Sequence, residues 1–320
     1  MTLTQTLTPL ARLATKQKAF VAIVGMLVFM AFFPTNFYTA FNLLDMLNST
    51  SILLILAFGV TLTVVSAGCD LSIGGIMVVA GIIAIKLLDV MPMWGAIGAA
   101  LAFGAFVGAV NGFLVVQQKT EPFIITLGMG MLLTGVAQQL TDARPVPASN
   151  PDFMMIGNGD FYGVPYLVLI MLACFAVSHW LMRYTQYGRN LYAIGGDYEV
   201  ALYSGIDVVR TKWIAFVISG FAAALAGVLL SSKLNTGSSI YGETAALVVN
   251  CGVVVGGTSF AGGVGGIPQS ALGLLVFGLL DNAMNMLGIS SYIQILLKGS
   301  VIVGIIWMDC FYQKRKRETV

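Results

Sequence analysis

Eight polar side chains interrupt stretches of this chain that are otherwise apolar: Asp70, Asn111, Asn250, Asp281, Asn282, Asn285, Gln294 and Lys298. Ser72 stands two residues after the first of them. An ionisable group deep among apolar helices costs at least several kcal/mol (about 2.5–3.5 on insertion scales) unless it is paired or hydrated, so a polar pathway is the default expectation for such residues. Asp281 and Asn285 are four apart and share a helix face, as do Gln294 and Lys298. Amides and carboxylates in a strip supply donors and acceptors without demanding a fixed ligand charge, which suits neutral, hydroxyl-rich solutes. Two alternatives stay open: the asparagines can join helix to helix, and Lys298 can reach the outer interface along its own stem.

Those residues need apolar elements to hold them. Of 320 residues, 58% are hydrophobic and 9% charged, whereas a soluble domain averages about 25% charged. An all-α, polytopic membrane protein follows, with about ten spans at 19–34, 50–68, 71–90, 93–116, 123–141, 164–182, 213–232, 244–257, 267–287 and 290–308. Several are short or interrupted by glycine, as broken membrane helices are. The first, behind Arg12, Lys16 and Lys18, resembles a signal peptide but lacks a small-x-small cleavage site and is read as a retained span.

Placing the N-terminus inside puts Arg12, Lys16, Lys18, Lys119, Arg183, Arg189, Arg210, Lys212, Lys314, Arg315, Lys316 and Arg317 on the cytoplasmic side. Only Lys86, Arg144, Lys233 and Lys298 fall elsewhere, so both termini are expected on the cytoplasmic side of the membrane. The chain then reads as a single transmembrane domain over 1–320, with an N-tail at 1–18, a cytoplasmic loop at 183–212 and a basic C-tail at 309–320. Residues 141–165, rich in Pro, Gly, Asn and Asp, form the outer loop. Within the inner loop, Asp197 caps and Gly205 ends a short helix that carries Val200, Tyr203 and Ser204 on one side. Such a helix is a surface for a partner; an ordinary connection is the plainer reading.

Two glycine-rich stretches precede apolar spans in the same orientation: "SAGCDLSIGG" (66–75) and "GGTSFAGGVGG" (256–266). Asp70 and Ser72 can satisfy the free N–H groups of the first, and Thr258 and Ser259 those of the second. The breaks are placed at Gly74, Gly75, Gly256, Gly257, Thr258, Ser259, Gly262 and Gly263. Gly104, Gly108 and Gly112 leave a bare strip for a close helix neighbour.

Catalytic and metal-binding residues are not expected. The sequence has no phosphate-binding G-x-x-x-x-G-K-[ST] and no H-E-x-x-H, and "GGTSFAGG" misses the spacing of a nucleophile elbow. Its one histidine, His179, reads as interfacial. Cys69, Cys174, Cys251 and Cys310 show neither metal nor disulfide spacing and read as packing residues. A net charge of +2 without a basic patch argues against nucleic acid.

The chain resembles the permease subunits of bacterial ABC importers for monosaccharides, of the ribose/xylose/galactoside type. The family's G-I-D-L-S-V-G reads here "GCDLSIG" and its G-R-x-x-Y-A-x-G-G-N-x-x-A-A-x-x-S-G-I reads "GRNLYAIGGDYEVALYSGI". Its G-G-T-S-L-A-G-G reads "GGTSFAGG" and its N-x-G-L-N-x-x-G-V-x-S-Y-x-Q reads "NAMNMLGISSYIQ". The matches span Ala57 to Asp309. The family's E-L-D-A-I is replaced by "ALVVN" (Ala246 to Asn250), with Glu243 just upstream, and Asp281 stands where Asn is usual. The resemblance implies no cofactor on this chain, ATP and Mg being bound by two ATP-binding subunits or one tandem ATPase. It also implies a second permease copy or a sister permease, a periplasmic solute-binding protein, and docking of the ATPase at Gly195, Gly196, Asp197, Val200, Ala201, Tyr203, Ser204 and Gly205. From composition alone, an ion-coupled secondary transporter is the main alternative, and a permease for branched-chain amino acids is the near relative.

Overall fold

The computed structural model describes residues 18–33, 36–301 and 303–304, apart from the side chains of Lys18 and Glu243. The N-tail charges Arg12 and Lys16, the basic C-tail and Cys310 lie outside the described residues. Among the described residues, twelve helices run in order: α1 Lys18–Met30, α2 Ala40–Val65, α3 Ile73–Leu87, α4 Met93–Gly112, α5 Pro122–Thr141, α6 Pro151–Asn158, α7 Tyr166–Tyr184, α8 Gln186–Gly196, α9 Tyr198–Tyr203, α10 Val208–Leu234, α11 Gly242–Val255 and α12 Ile267–Met286. A further helix, α13, occupies 291–301. Among the described residues, six helices are long and apolar enough to cross a membrane: α2, α4 with its continuation to Gln117, α5, α7, α10 and α12. Helices α1, α3 and α11 are shorter apolar ones. With α13 they stand where the ten spans were expected, in an all-α membrane protein.

Helix α10 is the central post, packing against α4, α2 and α3. Asp207 Oδ1 accepts the Arg210 N–H (2.9 Å) to start it, and Asn235 in the left-handed region ends it. The glycine strip of α4 faces it as expected. A Cβ on Gly104 or on Gly220 would collide with the other residue's carbonyl oxygen, and one on Gly108 with that of Phe216. The two backbones approach closely because neither carries a side chain at the crossing.

Several boundaries differ from the sequence reading. The second span starts at Ala40 rather than residue 50, because its polar first turns find partners inside the protein. Thr39 Oγ1 accepts the Asn42 N–H (3.3 Å), and the Asn42 amide pairs with that of Asn282 on α12. Helix α7 runs on to Tyr184 and α10 begins at Val208, so Arg183, Arg210 and Lys212 are helical and the connection between them is 185–207. That connection is itself helical from Gln186, where Thr185 Oγ1 accepts the Gly188 N–H (3.2 Å). The loop at 141–165 also holds a helix, α6. Asn150 accepts the Asp152 and Phe153 N–H groups (2.9 and 3.2 Å) and Pro151 takes the first helical position.

Segments that the charge count assigns to one side meet one another. At one end, a two-residue strand β1 (Val146–Pro147) pairs antiparallel with Thr236–Gly237 after α10, and the Asn158 amide donates to Ser232 O (3.1 Å). At the other, the Gly263 N–H donates to Val65 O (2.9 Å) and the Tyr192 hydroxyl to Gly265 O (2.8 Å).

Candidate solute pathway

The link from α2 to α3 is a buried polar hub. Asp70 is 0% exposed. Its Oδ1 accepts from the Ser72 N–H and hydroxyl (3.1 and 2.6 Å), and its Oδ2 from the Ser219 hydroxyl on α10 (2.7 Å). The Asn111 amide on α4 donates to Ser72 Oγ (2.7 Å), and the Asn250 amide on α11 donates to Asp70 O (3.0 Å). The Leu71 N–H donates to Thr126 Oγ1 on α5 (3.1 Å). Four helices, α4, α5, α10 and α11, are therefore tied to residues 70–72. A carboxylate with three donors is satisfied where it sits, and the network fixes the direction in which α3 leaves. The capping differs in detail from the expectation. Ser72 is the N-cap residue of α3, but its hydroxyl turns back to Asp70 instead of accepting an N–H of the helix. Gly74 and Gly75 lie inside the first turn of α3, so the break falls just before them. There a Cβ on Gly74 would strike Gly242 O and one on Gly75 would crowd Leu133 and Gly130.

Two cavities adjoin this hub. The larger, about 680 Å³, lies between α3, α5, α11 and α13; its polar lining comprises Thr134, Gln138, Thr244 and Lys298. Pockets for small ligands span about 300–1,000 Å³, so its size suits a single small solute. The smaller, about 340 Å³, is lined by Cys69, Glu121, Phe123, Asn250, Cys251 and their neighbours.

Of the residues expected on a pathway, Lys298 lines the larger cavity and Asn250 the smaller. Asp70, Ser72 and Asn111 stand behind the walls, fully buried. Asp281 and Lys298 pair across α12 and α13 at 2.8 Å, both partly exposed. The Gln294 amide donates to Asn285 Oδ1 (2.9 Å), while Asn282 is committed to Asn42. The last contact needed Asn42, which lies in a stretch too polar to read as a span. Asn111, Ser72 and Asn250 showed themselves in the sequence; Ser219 and Thr126, which complete their network, did not, because lone hydroxyls in apolar helices are common.

The second glycine-rich link, 256–266, is put together differently. Gly257, Gly262, Gly263, Gly265 and Gly266 all have positive φ. Thr258, fully buried, accepts the Gly266 N–H at the head of α12 (3.2 Å) and shares a hydrogen bond with Ser270 Oγ (3.1 Å). Ser259 Oγ accepts only from the nearby Ala261 N–H (3.2 Å). Gly256 is the last-turn cap of α11, packed so closely on α12 that a Cβ would strike Gln269 O. Above this link, Gly195 of α8 has no room for a Cβ against Val65 O and the Gly263 N–H. The Tyr192 hydroxyl must stay protonated to donate to Gly265 O, and burial pushes its pKa above the ordinary tyrosine value despite the nearby Arg183.

Helix α9 forms as expected. Asp197 Oδ1 accepts the Val200 N–H (3.0 Å), and Gly205, at φ +80°, ends the turn in a conformation that disfavours any side chain. Ala201 is buried with Ile194 and Val208 beneath it. Tyr198, Val200, Leu202 and Tyr203 are exposed, Tyr203 by 86%. This six-residue helix thus anchors one small side chain and presents four large apolar ones on its surface.

Residues 42–306 match the family described as the permease component of branched-chain amino acid transport systems. The chain is 34% identical over 312 residues to the ribose import permease protein of Haemophilus influenzae, covering 96% of this chain and 97% of that one. It is 36% identical to the ribose import permease protein of Escherichia coli K12 (92% and 93% covered). Against the L-arabinose transport system permease protein of the same organism, identity is 32% (90% and 88% covered). These relatives are named as transport components. The chain belongs to the family of bacterial sugar ABC-importer permeases, and is a multi-pass subunit of the inner membrane.

Proposed function

We propose that this chain carries a monosaccharide, or a similar small polyhydroxy solute, across the inner membrane as the permease of an ATP-driven importer. The observation that carries the reading is identity of 34–36% with ribose import permeases across more than nine-tenths of the chain. The larger cavity supports it. Its polar lining offers uncharged Thr134, Gln138 and Thr244, and its one charge, Lys298, is already neutralised by Asp281. A branched-chain amino acid would need its own carboxylate and ammonium matched, and this lining has no free pair for them.

In this reading a periplasmic binding protein delivers the solute. A second copy of the chain, or a sister permease, completes the path. Two ATP-binding subunits, or one tandem ATPase, hold ATP and Mg and seat α9 and its flanks, residues 195–205, in their surface. Hydrolysis there drives the helices between outward- and inward-facing arrangements. The permease contributes positioned walls, a weak polar lining and a lever, and makes no covalent bond.

Reconstitution tests the reading. Proteoliposomes holding the chain, its ATPase and its binding protein should accumulate labelled ribose, arabinose or allose only with ATP inside the ATPase compartment, and equally well with a proton or sodium ionophore present. Uptake without the ATPase that an ionophore abolishes would establish an ion-coupled transporter instead. Uptake of leucine in preference to any sugar would move the substrate class.

A further inference from the structure

Resting on the permease reading, we propose that Leu71 and Leu247 form the apolar barrier that separates the outer from the inner half of the solute path. These two residues line both cavities. On each element that the cavities share, one end lines the smaller cavity and the other end the larger, with an overlap of one residue on α11. On the link into α3, residues 67–69 face the smaller cavity, Leu71 faces both, and Gly74 and Gly75 face the larger. On α5, residues 121–123 belong to the smaller cavity and 127–138 to the larger. On α11, residues 242–246 and Val248 belong to the larger, Leu247 to both, and Asn250 with Cys251 to the smaller. Three independent elements thus place two chambers end to end along one axis, meeting at one level occupied by two leucines.

The chemistry of that level differs from its surroundings. Leu71 follows Asp70 directly and its own N–H is held by Thr126, so its backbone is anchored by the hub. It is 8% exposed. Leu247, by contrast, is 53% exposed and stands on α11, a short helix that ends in the glycine-rich link. Leu71, anchored by the hub, and Leu247, on a helix that runs into a glycine-rich link, together make a constriction that excludes water and hydrated solute when closed. Tilting α11 would widen it. The same leucines offer a sugar no hydrogen bond, so solute is not held there.

The test uses the assembled importer in proteoliposomes, with labelled ribose as the probe and Cys69, Cys174, Cys251 and Cys310 replaced by serine. Two reporters are introduced singly, Thr134→Cys in the larger cavity and Phe123→Cys in the smaller. Without nucleotide, a membrane-impermeant thiol reagent should reach Thr134→Cys from one side only and Phe123→Cys from the opposite side only. Leu247→Ala should let the reagent reach both reporters from either side. It should also give a ribose leak that needs no ATP, where the unmodified importer shows none. Leu247→Trp should abolish ATP-driven uptake while the complex still assembles. Because Leu247 is half-exposed, these variants keep the fold, and melting temperature in detergent checks it. If both reporters react from the same side in the unmodified chain, or if Leu247→Ala neither leaks nor changes labelling, the barrier is not here. An importer that moves leucine and no sugar would overturn the substrate reading while leaving the labelling pattern to decide the barrier.

Discussion

The links at 66–72 and 256–266 occupy matching places, each turning the chain into an apolar helix, yet they are made of opposite chemistry. The first is organised by one buried carboxylate whose donors come from its own turn and from α10. The second has no charge, five glycines at positive φ, and neutral hydroxyls that bond mostly within the turn and to α12. In both, the acceptor takes the N–H of the N-cap residue itself, Ser72 in one case and Gly266 in the other. The difference lies in what is over-determined. A desolvated carboxylate that loses any donor is left with an expensive vacancy, so the first link tolerates one geometry. A glycine run has several backbone arrangements of similar energy. The second link also touches α8 through Tyr192 and Gly195, and α8 leads directly into α9. The comparison teaches that a rigid hub can hold the walls of a path while a pliable joint beside the exposed α9 takes up motion.

The largest effect is expected from Asp70→Ala. Ser72 N–H, Ser72 Oγ and Ser219 Oγ each lose their acceptor, at about 1–3 kcal/mol per buried donor. Thr258→Val removes one neutral acceptor and should cost a fraction of that. Melting of the two purified variants in detergent compares them; equal losses would erase the contrast between the links. Next comes the double change Val200→Asp with Tyr203→Asp. Both side chains are exposed, so stability should stay within about 0.5 kcal/mol while ATP-driven uptake and copurification of the ATPase are lost. Normal uptake in that variant would remove α9 from the coupling route. The smallest effect on uptake is expected from Tyr192→Phe, which deletes the hydrogen bond from α8 to Gly265 and should lower stability by about 0.5–1.5 kcal/mol. It sharpens the comparison if uptake falls further than stability does, and weakens it if the two fall together.

Much of this was legible in the residues. Apolar runs broken by polar and turn-forming residues placed ten helices, because lipid allows few alternatives to a helix. The glycine strip of α4, the Asp197 cap and the Gly205 stop were readable because each depends on local spacing. Most of what escaped depended on partners distant in the chain. The first turns of α2 looked too polar for a span until Asn42 met Asn282, 240 residues away. The helix α6 hid in a run of turn-forming residues although Asn150 and Pro151 are themselves a helix start. Asp281 and Lys298 could be seen as polar neighbours within their own helices, but their ion pair crosses from α12 to α13. Asp70 stood out at once as costly; that it would sit behind the wall of a cavity, and not in it, follows only from the positions of Ser219, Asn111 and Asn250.

Hydrogen exchange on the reconstituted importer, with and without ATP, addresses the contrast between the two links most directly. Peptides covering 256–266 should change their exchange on ATP addition, and the change should be lost in the Val200→Asp, Tyr203→Asp variant. Peptides covering 68–72 should remain protected throughout, because the Asp70 hub persists in every state of the cycle. An ATP-dependent loss of protection at 68–72 with 256–266 unchanged would contradict this division of roles, and would make the carboxylate hub the moving part.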